Sequence, residues 1–145
     1  MIRTVLVTGG LAITVTAVVA QGDPIAERKG LMKGNGAAAK TGTQMAKGEI
    51  PFDLAKAKEI FRTYERAADR MPALFPESSK TGGETTAAPK IWEDMARFKA
   101  AFAKFGTDAR DAEAATKDLD SFKASFGIVT KNCGSCHEAY RIRKS

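Results

Sequence analysis

Side chains able to bind metals or cycle electrons are scarce in this chain. Its 145 residues include one histidine and two cysteines. A structural zinc site takes four ligands, so zinc here would need carboxylates or a second chain. Ligation of one metal by two histidines of a single chain is excluded. A disulfide across two intervening residues would be strained and would close a trivial loop. Neither a general acid with a nucleophile nor a second metal cluster is in evidence, so substrate catalysis has no support. Internal repeats, low-complexity tracts and signs of a second domain are also missing. Charge of one sign is not in large excess: 23 basic against 17 acidic residues give a formal +6. Lys and Arg alternate with Asp and Glu along helical faces, which reads as a solvated surface rather than a nucleic-acid interface. A basic face of this kind can still steer an acidic redox partner.

The scarce residues all fall in one place, Cys133-Gly134-Ser135-Cys136-His137. This is C-x-x-C-H, the attachment pattern for a c-type haem. The cysteines lie one helical turn apart, so both sulfurs meet one edge of a flat ring. His137 follows by one residue and offers a nitrogen to the iron. The competing reading is a redox dithiol, but that motif opens a helix after a strand, and no strand pattern precedes it here.

The long hydrophobic run is confined to the start. Arg3 supplies a positive n-region, Val5 to Val19 is apolar and small, and Val18-Val19-Ala20 suggests cleavage before Gln21. Residues 1–20 therefore read as a signal peptide and 21–145 as one domain, exported to the periplasm. The run is short and weakly flanked for a membrane span, so no stable membrane insertion is expected; the alternative reading is an uncleaved N-terminal anchor. Removing it removes Arg3 and no acid, which lowers the formal charge from +6 to +5.

The remainder reads as four helices. Asp23-Pro24 starts the first, which is expected to run to about Lys47. It is unusually rich in glycine (Gly30, Gly34, Gly36, Gly42), which reads either as a frayed, weak helix or, the favoured reading, as a helix whose inner face lies against something bulky and flat. Asp53 caps the second helix, whose seam is Leu54, Ala57, Phe61, Tyr64, Ala68 and Met71. Residues 72–88 form one long crossover. Pro89 opens a third helix with the stripe Ile91, Met95, Phe98, Phe102, Phe105, continuing through Ala109 and Ala112. Asp118 caps the fourth, whose stripe Leu119, Phe122, Phe126, Val129 runs on into Cys133, Cys136 and Tyr140. The cysteines thus lie on the core-facing side. The fold class is all-α, an antiparallel four-helix bundle with a covalently attached haem in its core.

The mature chain resembles the class II c-type cytochromes, the cytochrome c-prime family, over nearly its whole length. Lys47-Gly48-Glu49-Ile50-Pro51-Phe52-Asp53, Leu74-Phe75-Pro76, Pro89-Lys90-Ile91-Trp92 and the C-terminal C-x-x-C-H carry the resemblance. It implies one haem c per chain, bound through Cys133 and Cys136, with His137 as proximal ligand. The family has a five-coordinate branch that binds nitric oxide or carbon monoxide. It also has a low-spin branch, the cytochrome c-556 type, in which a first-helix methionine is the sixth ligand and the protein carries electrons.

The run Leu31-Met32-Lys33-Gly34-Asn35-Gly36 is similar to the low-spin branch and aligns Met32 with the distal position. Met32 is then either the sixth ligand or ordinary distal packing. Met71 and Met95 lie on aromatic seams as core filler, and Met45 lies near the helix end. Arg28, one turn before Met32, either pairs with a haem propionate or is a solvated arginine. Arg141, one turn after His137, either lies beside the proximal imidazole or is likewise solvated. The expected function is electron carriage between periplasmic redox proteins, by a monomer or homodimer. Gas binding at the distal face and thiol oxidoreduction by Cys133 and Cys136 are the alternatives.

Overall fold

The computed structural model describes residues 22–142. The signal-peptide reading of residues 1–20 lies outside them. Helix α1 spans Pro24–Ala46 and starts where Asp23 accepts a hydrogen bond from the Ile25 amide at 2.9 Å. Helix α2 spans Leu54–Arg70, capped by Asp53, which accepts from the Lys56 amide at 3.0 Å. A 3-10 turn at Met71–Leu74 leads into the crossover. Helix α5, Leu119–Tyr140, opens on a reciprocal capping box between Asp118 and Ser121.

Two details depart from the sequence expectation. The third helix is broken into α3, Lys90–Glu93, and α4, Met95–Ala115. Asp94 takes a non-helical turn backbone (φ −140°, ψ 71°), and its carboxylate caps the Arg97 amide at 2.9 Å. The stripe of apolar residues spans this break, so periodicity alone conceals it. Leu54 does not join the α2 seam. It is 40 % exposed, and Ala57, Ile60, Phe61, Tyr64, Ala67 and Ala68 make the buried face instead.

The long helices form a ring. α2 packs on α1 and α4, and α5 packs on α4 and α1, giving the four-helix bundle. Aromatic rings fill it: Phe61, Tyr64, Phe98 and Phe122 are all at most 2 % exposed. Phe98 meets Phe75, Phe102 and Tyr140 edge-on at 4.7, 5.1 and 5.1 Å between centroids. Such edge-to-face pairs add to what burial alone contributes.

The glycine-rich α1 has a specific reason at one position. A Cβ on Gly42 would sit 2.4 Å from Phe126 Cε2 and 2.7 Å from Cζ. The flat group against Gly42 is thus the protein's own ring, held by its stack on Phe122 at 5.2 Å. Gly36 faces the cavity described below, while Gly30 and Gly34 meet nothing within 4 Å. Gly42→Ala gains about 1 kcal/mol of helix propensity but forces Phe126 aside, at about 1–3 kcal/mol. A net loss of about 1 kcal/mol is expected in urea denaturation.

The crossover closes one end of the bundle. Gly83 takes φ +54°, and a side chain there would press on Ile25 of α1 at 3.0 Å. Further along, the Ala88 amide donates to Tyr140 O at 2.9 Å and the Ile142 amide to Thr86 O at 2.8 Å. The crossover is thereby tied to the residues that follow the Cys133–His137 motif. Among the described residues no helix is long and apolar enough to cross a membrane.

Candidate functional site

Between α1, α4, α5 and the crossover lies a cavity of about 1130 Å³. That is slightly above the ~300–1,000 Å³ of most small-molecule sites. Its apolar lining is Met71, Phe75, Ile91, Phe98, Phe102, Phe105 and Tyr140. Cys133, Cys136 and His137 enter it from α5, and Met32 from α1. The sequence-identified residues thus converge on one space, although they are a hundred positions apart in the chain.

Helical geometry accounts for the placement. Phe122, Phe126 and Val129 turn their stripe into the core, and the same three-four spacing carries Cys133, Cys136 and Tyr140 onto the cavity wall. Neither cysteine pairs in a disulfide among the described residues, and burial pushes both thiols above the ordinary range, with Cys133 adding to the rise at Cys136. A redox dithiol needs the opposite, a lowered thiol at a helix N-terminus. Burial, then the Arg141 cation, holds the His137 imidazole below its ordinary value. The ring is therefore neutral at pH 7, the form that binds a metal.

Arg28 is not a solvated arginine, since it is 5 % exposed. Its Nη1 donates to Leu74 O at 3.0 Å and Ser79 Oγ at 2.9 Å. Its Nη2 donates to Ser79 O at 2.9 Å and Thr85 Oγ1 at 2.6 Å. The guanidinium lies over the Phe75 ring, 4.6 Å from its centroid. Burial lowers its pKa, partly offset by Asp23. No carboxylate bonds it, so the cavity wall carries a buried cation whose hydrogen-bond partners are all neutral. Arg141 lines the cavity at the end of α5 and is exposed.

Two polar atoms nearby are fully shielded and unpaired. One is Asn35 Oδ1, on the cavity wall three residues beyond Met32. The other is the Tyr64 hydroxyl, whose pKa is raised by burial and then by Cys133. Orphaned groups of this kind are rare in finished interiors and mark places where a further group belongs. Asn35 escaped the sequence reading, although its i+3 spacing from Met32 puts the two on one face. Met71 fills the core at 1 % exposure, as its seam position implies, and also lines the cavity. Tyr64→Phe removes an unpaired buried hydroxyl and is expected to stabilise the protein by about 1 kcal/mol. A lower denaturation midpoint instead would show that the hydroxyl is bonded in the loaded protein.

A cavity walled by aromatics, with C-x-x-C-H on its face and a neutral histidine at its edge, fits a porphyrin held through two sulfurs. The bundle and this wall define a c-type cytochrome. The chain belongs to the cytochrome c-prime family, whose model, described as Cytochrome C', matches residues 23–141. It is 42 % identical over 144 residues to cytochrome c-prime of Rhodopseudomonas palustris, covering 99 % of each chain. It is 37 % identical over 148 residues to cytochrome c-556 of the same organism, again covering 99 % of each. The solved cytochrome c-prime of Rhodopseudomonas palustris superposes with a TM-score of 0.83 at 46 % identity, covering 86 % of this chain and all of that one (100 %). Covalently attached haem c is the family's cofactor, one per chain.

Proposed function

We propose that this chain is a periplasmic one-electron carrier, not an enzyme, with a low-spin haem whose axial ligands are His137 and Met32. The observation that supports it is the convergence of the Met32 and His137 side chains, from α1 and α5, on the walls of one cavity. Cys133 and Cys136 form the two thioethers. When bound, the haem supplies the Fe(III)/Fe(II) couple. His137 would give its nitrogen lone pair to the iron, and the Met32 thioether, a soft donor, would favour the reduced metal and raise the potential. The aromatic wall would pack against the haem, and the neutral partners of Arg28 leave its charge available to a propionate in the same cavity. Export by residues 1–20 places the protein with other periplasmic redox proteins.

A five-coordinate, gas-binding role is the second reading, favoured by the higher identity to the c-prime relative (42 %) than to the c-556 relative (37 %). Absorption spectra of the holoprotein, oxidised and reduced, with and without carbon monoxide, separate the two. A low-spin spectrum with a far-red sulfur-to-iron band, unmoved by the gas, supports the electron carrier. A high-spin spectrum that shifts with carbon monoxide rejects it in favour of the gas binder.

A further inference from the structure

Charge is sorted on this molecule. Six cations line the cavity: Arg28, Lys29, Lys33, Arg97, Lys104 and Arg141. Glu84 is the one carboxylate among the lining residues, so the wall carries +5. The other described residues hold 14 cations against 16 carboxylates, a balance of −2. The whole positive excess of the described chain is therefore gathered at one opening. Apart from buried Arg28, the lining cations are exposed. Lys104 pairs with Asp108, but Lys29, Lys33, Arg97 and Arg141 form no ion pair among the described residues. Elsewhere Arg62, Arg66, Arg70 and Arg110 are each held by a glutamate. Two propionates would lower the wall to about +3, still opposite in sign to the balance of the other described residues.

We propose that this cation-rimmed mouth, with Lys29 and Lys33 of α1 facing Arg97 of α4 and Arg141 beyond α5, is the docking surface for an acidic redox protein. This rests on the electron-carrier reading and names its kind of partner. A positive patch on a body whose other charges nearly balance orients the molecule as it approaches an acidic surface. Steering of this kind raises association rates by roughly 10- to 1,000-fold and fades with salt. The patch lines the same cavity that His137 and the two cysteines enter, so orientation and electron path coincide.

The test follows electron transfer to the oxidised holoprotein from an acidic flavodoxin hydroquinone, which is oxidised to the semiquinone as the iron is reduced. A parallel run oxidises the reduced protein with hexacyanoferrate(III), a small anion. The Lys29→Glu/Lys33→Glu variant is compared with Lys117→Glu/Lys123→Glu, which makes the same charge change at the far end of α5. Expected at low ionic strength is a flavodoxin rate lowered about tenfold or more by the rim pair and less than about twofold by the remote pair, the difference vanishing at ~0.3 M salt. Equal losses from both pairs would show that net charge alone acts and would overturn the proposal. A rim effect confined to hexacyanoferrate would overturn it in favour of a small-anion site. Spectra of the same samples report ligation separately. A high-spin wild type with rim-dependent flavodoxin rates would sink the Met32 ligation and leave the docking surface standing.

Discussion

Met32→Ala is expected to turn a low-spin, gas-inert protein into a high-spin one that takes up carbon monoxide. The substitution removes one thioether from the cavity wall and leaves space where it stood. Without the sulfur the far-red band disappears, and the reduction potential falls because the soft ligand no longer favours the reduced metal. Apparent affinity for carbon monoxide rises at least about tenfold, equivalent to about 1.4 kcal/mol, since the gas no longer displaces a ligand. Met71 is the necessary control, because it lines the same cavity and is a second candidate sulfur. It is only 1 % exposed and sits on the 3-10 turn after α2. Met71→Leu conserves volume, costs less than about 1.5 kcal/mol and is expected to leave the spectrum unchanged. The ligation is rejected if the two variants exchange these outcomes or if neither moves the spectrum.

The fold was legible wherever a single helix carries its own information. The seam of α2 and the stripe of α5 follow from three-four spacing, and Asp53 and Asp118 announce their helices as caps. The motif residues were legible for the same reason: five adjacent positions hold the chemistry. What stayed hidden depends on contacts between distant segments. The break at Asp94 lies under an unbroken apolar stripe, because a local side-chain cap changes the backbone without changing the pattern. Leu54 has the right spacing but occupies the first turn of α2, where the seam has not yet entered the core. The partners of Arg28 lie 46 to 57 residues away, so nothing near Arg28 marks it as buried. The sorting of charge was invisible for a similar reason. Lys29, Lys33, Arg97 and Arg141 meet only after folding, and a formal +6 spread along the chain reads as ordinary surface.

Arg28→Ala is expected to cost about 3 kcal/mol of stability, more than any surface arginine. Hydrogen bonds from a charged donor contribute about 1.5–3 kcal/mol each, and the four made here overlap in one small region, so they do not add in full. Two of the acceptors belong to Ser79, which is itself 2 % exposed, and truncation strands them away from water. The Phe75 ring loses its cation at the same time. In a domain of this size the loss corresponds to a fall in Tm of roughly 10 °C. Arg28→Lys keeps the charge but replaces a planar fork by one nitrogen, so it recovers only part of the loss. Thr85→Val removes an oxygen that accepts from both Arg28 and the Ala87 amide, and is expected to cost about 1–2 kcal/mol. The damage is expected to be local as well as global. The guanidinium pins the crossover to α1 one turn before Met32, so amide exchange should accelerate between Ser79 and Ala88 before the helices open. Urea denaturation of the holoprotein with an unchanged m-value measures the stability, and exchange locates it. A loss below about 1 kcal/mol for Arg28→Ala would mean that the crossover is held by its backbone pairing to residues 140–142 alone, with Arg28 only filling space beside Phe75.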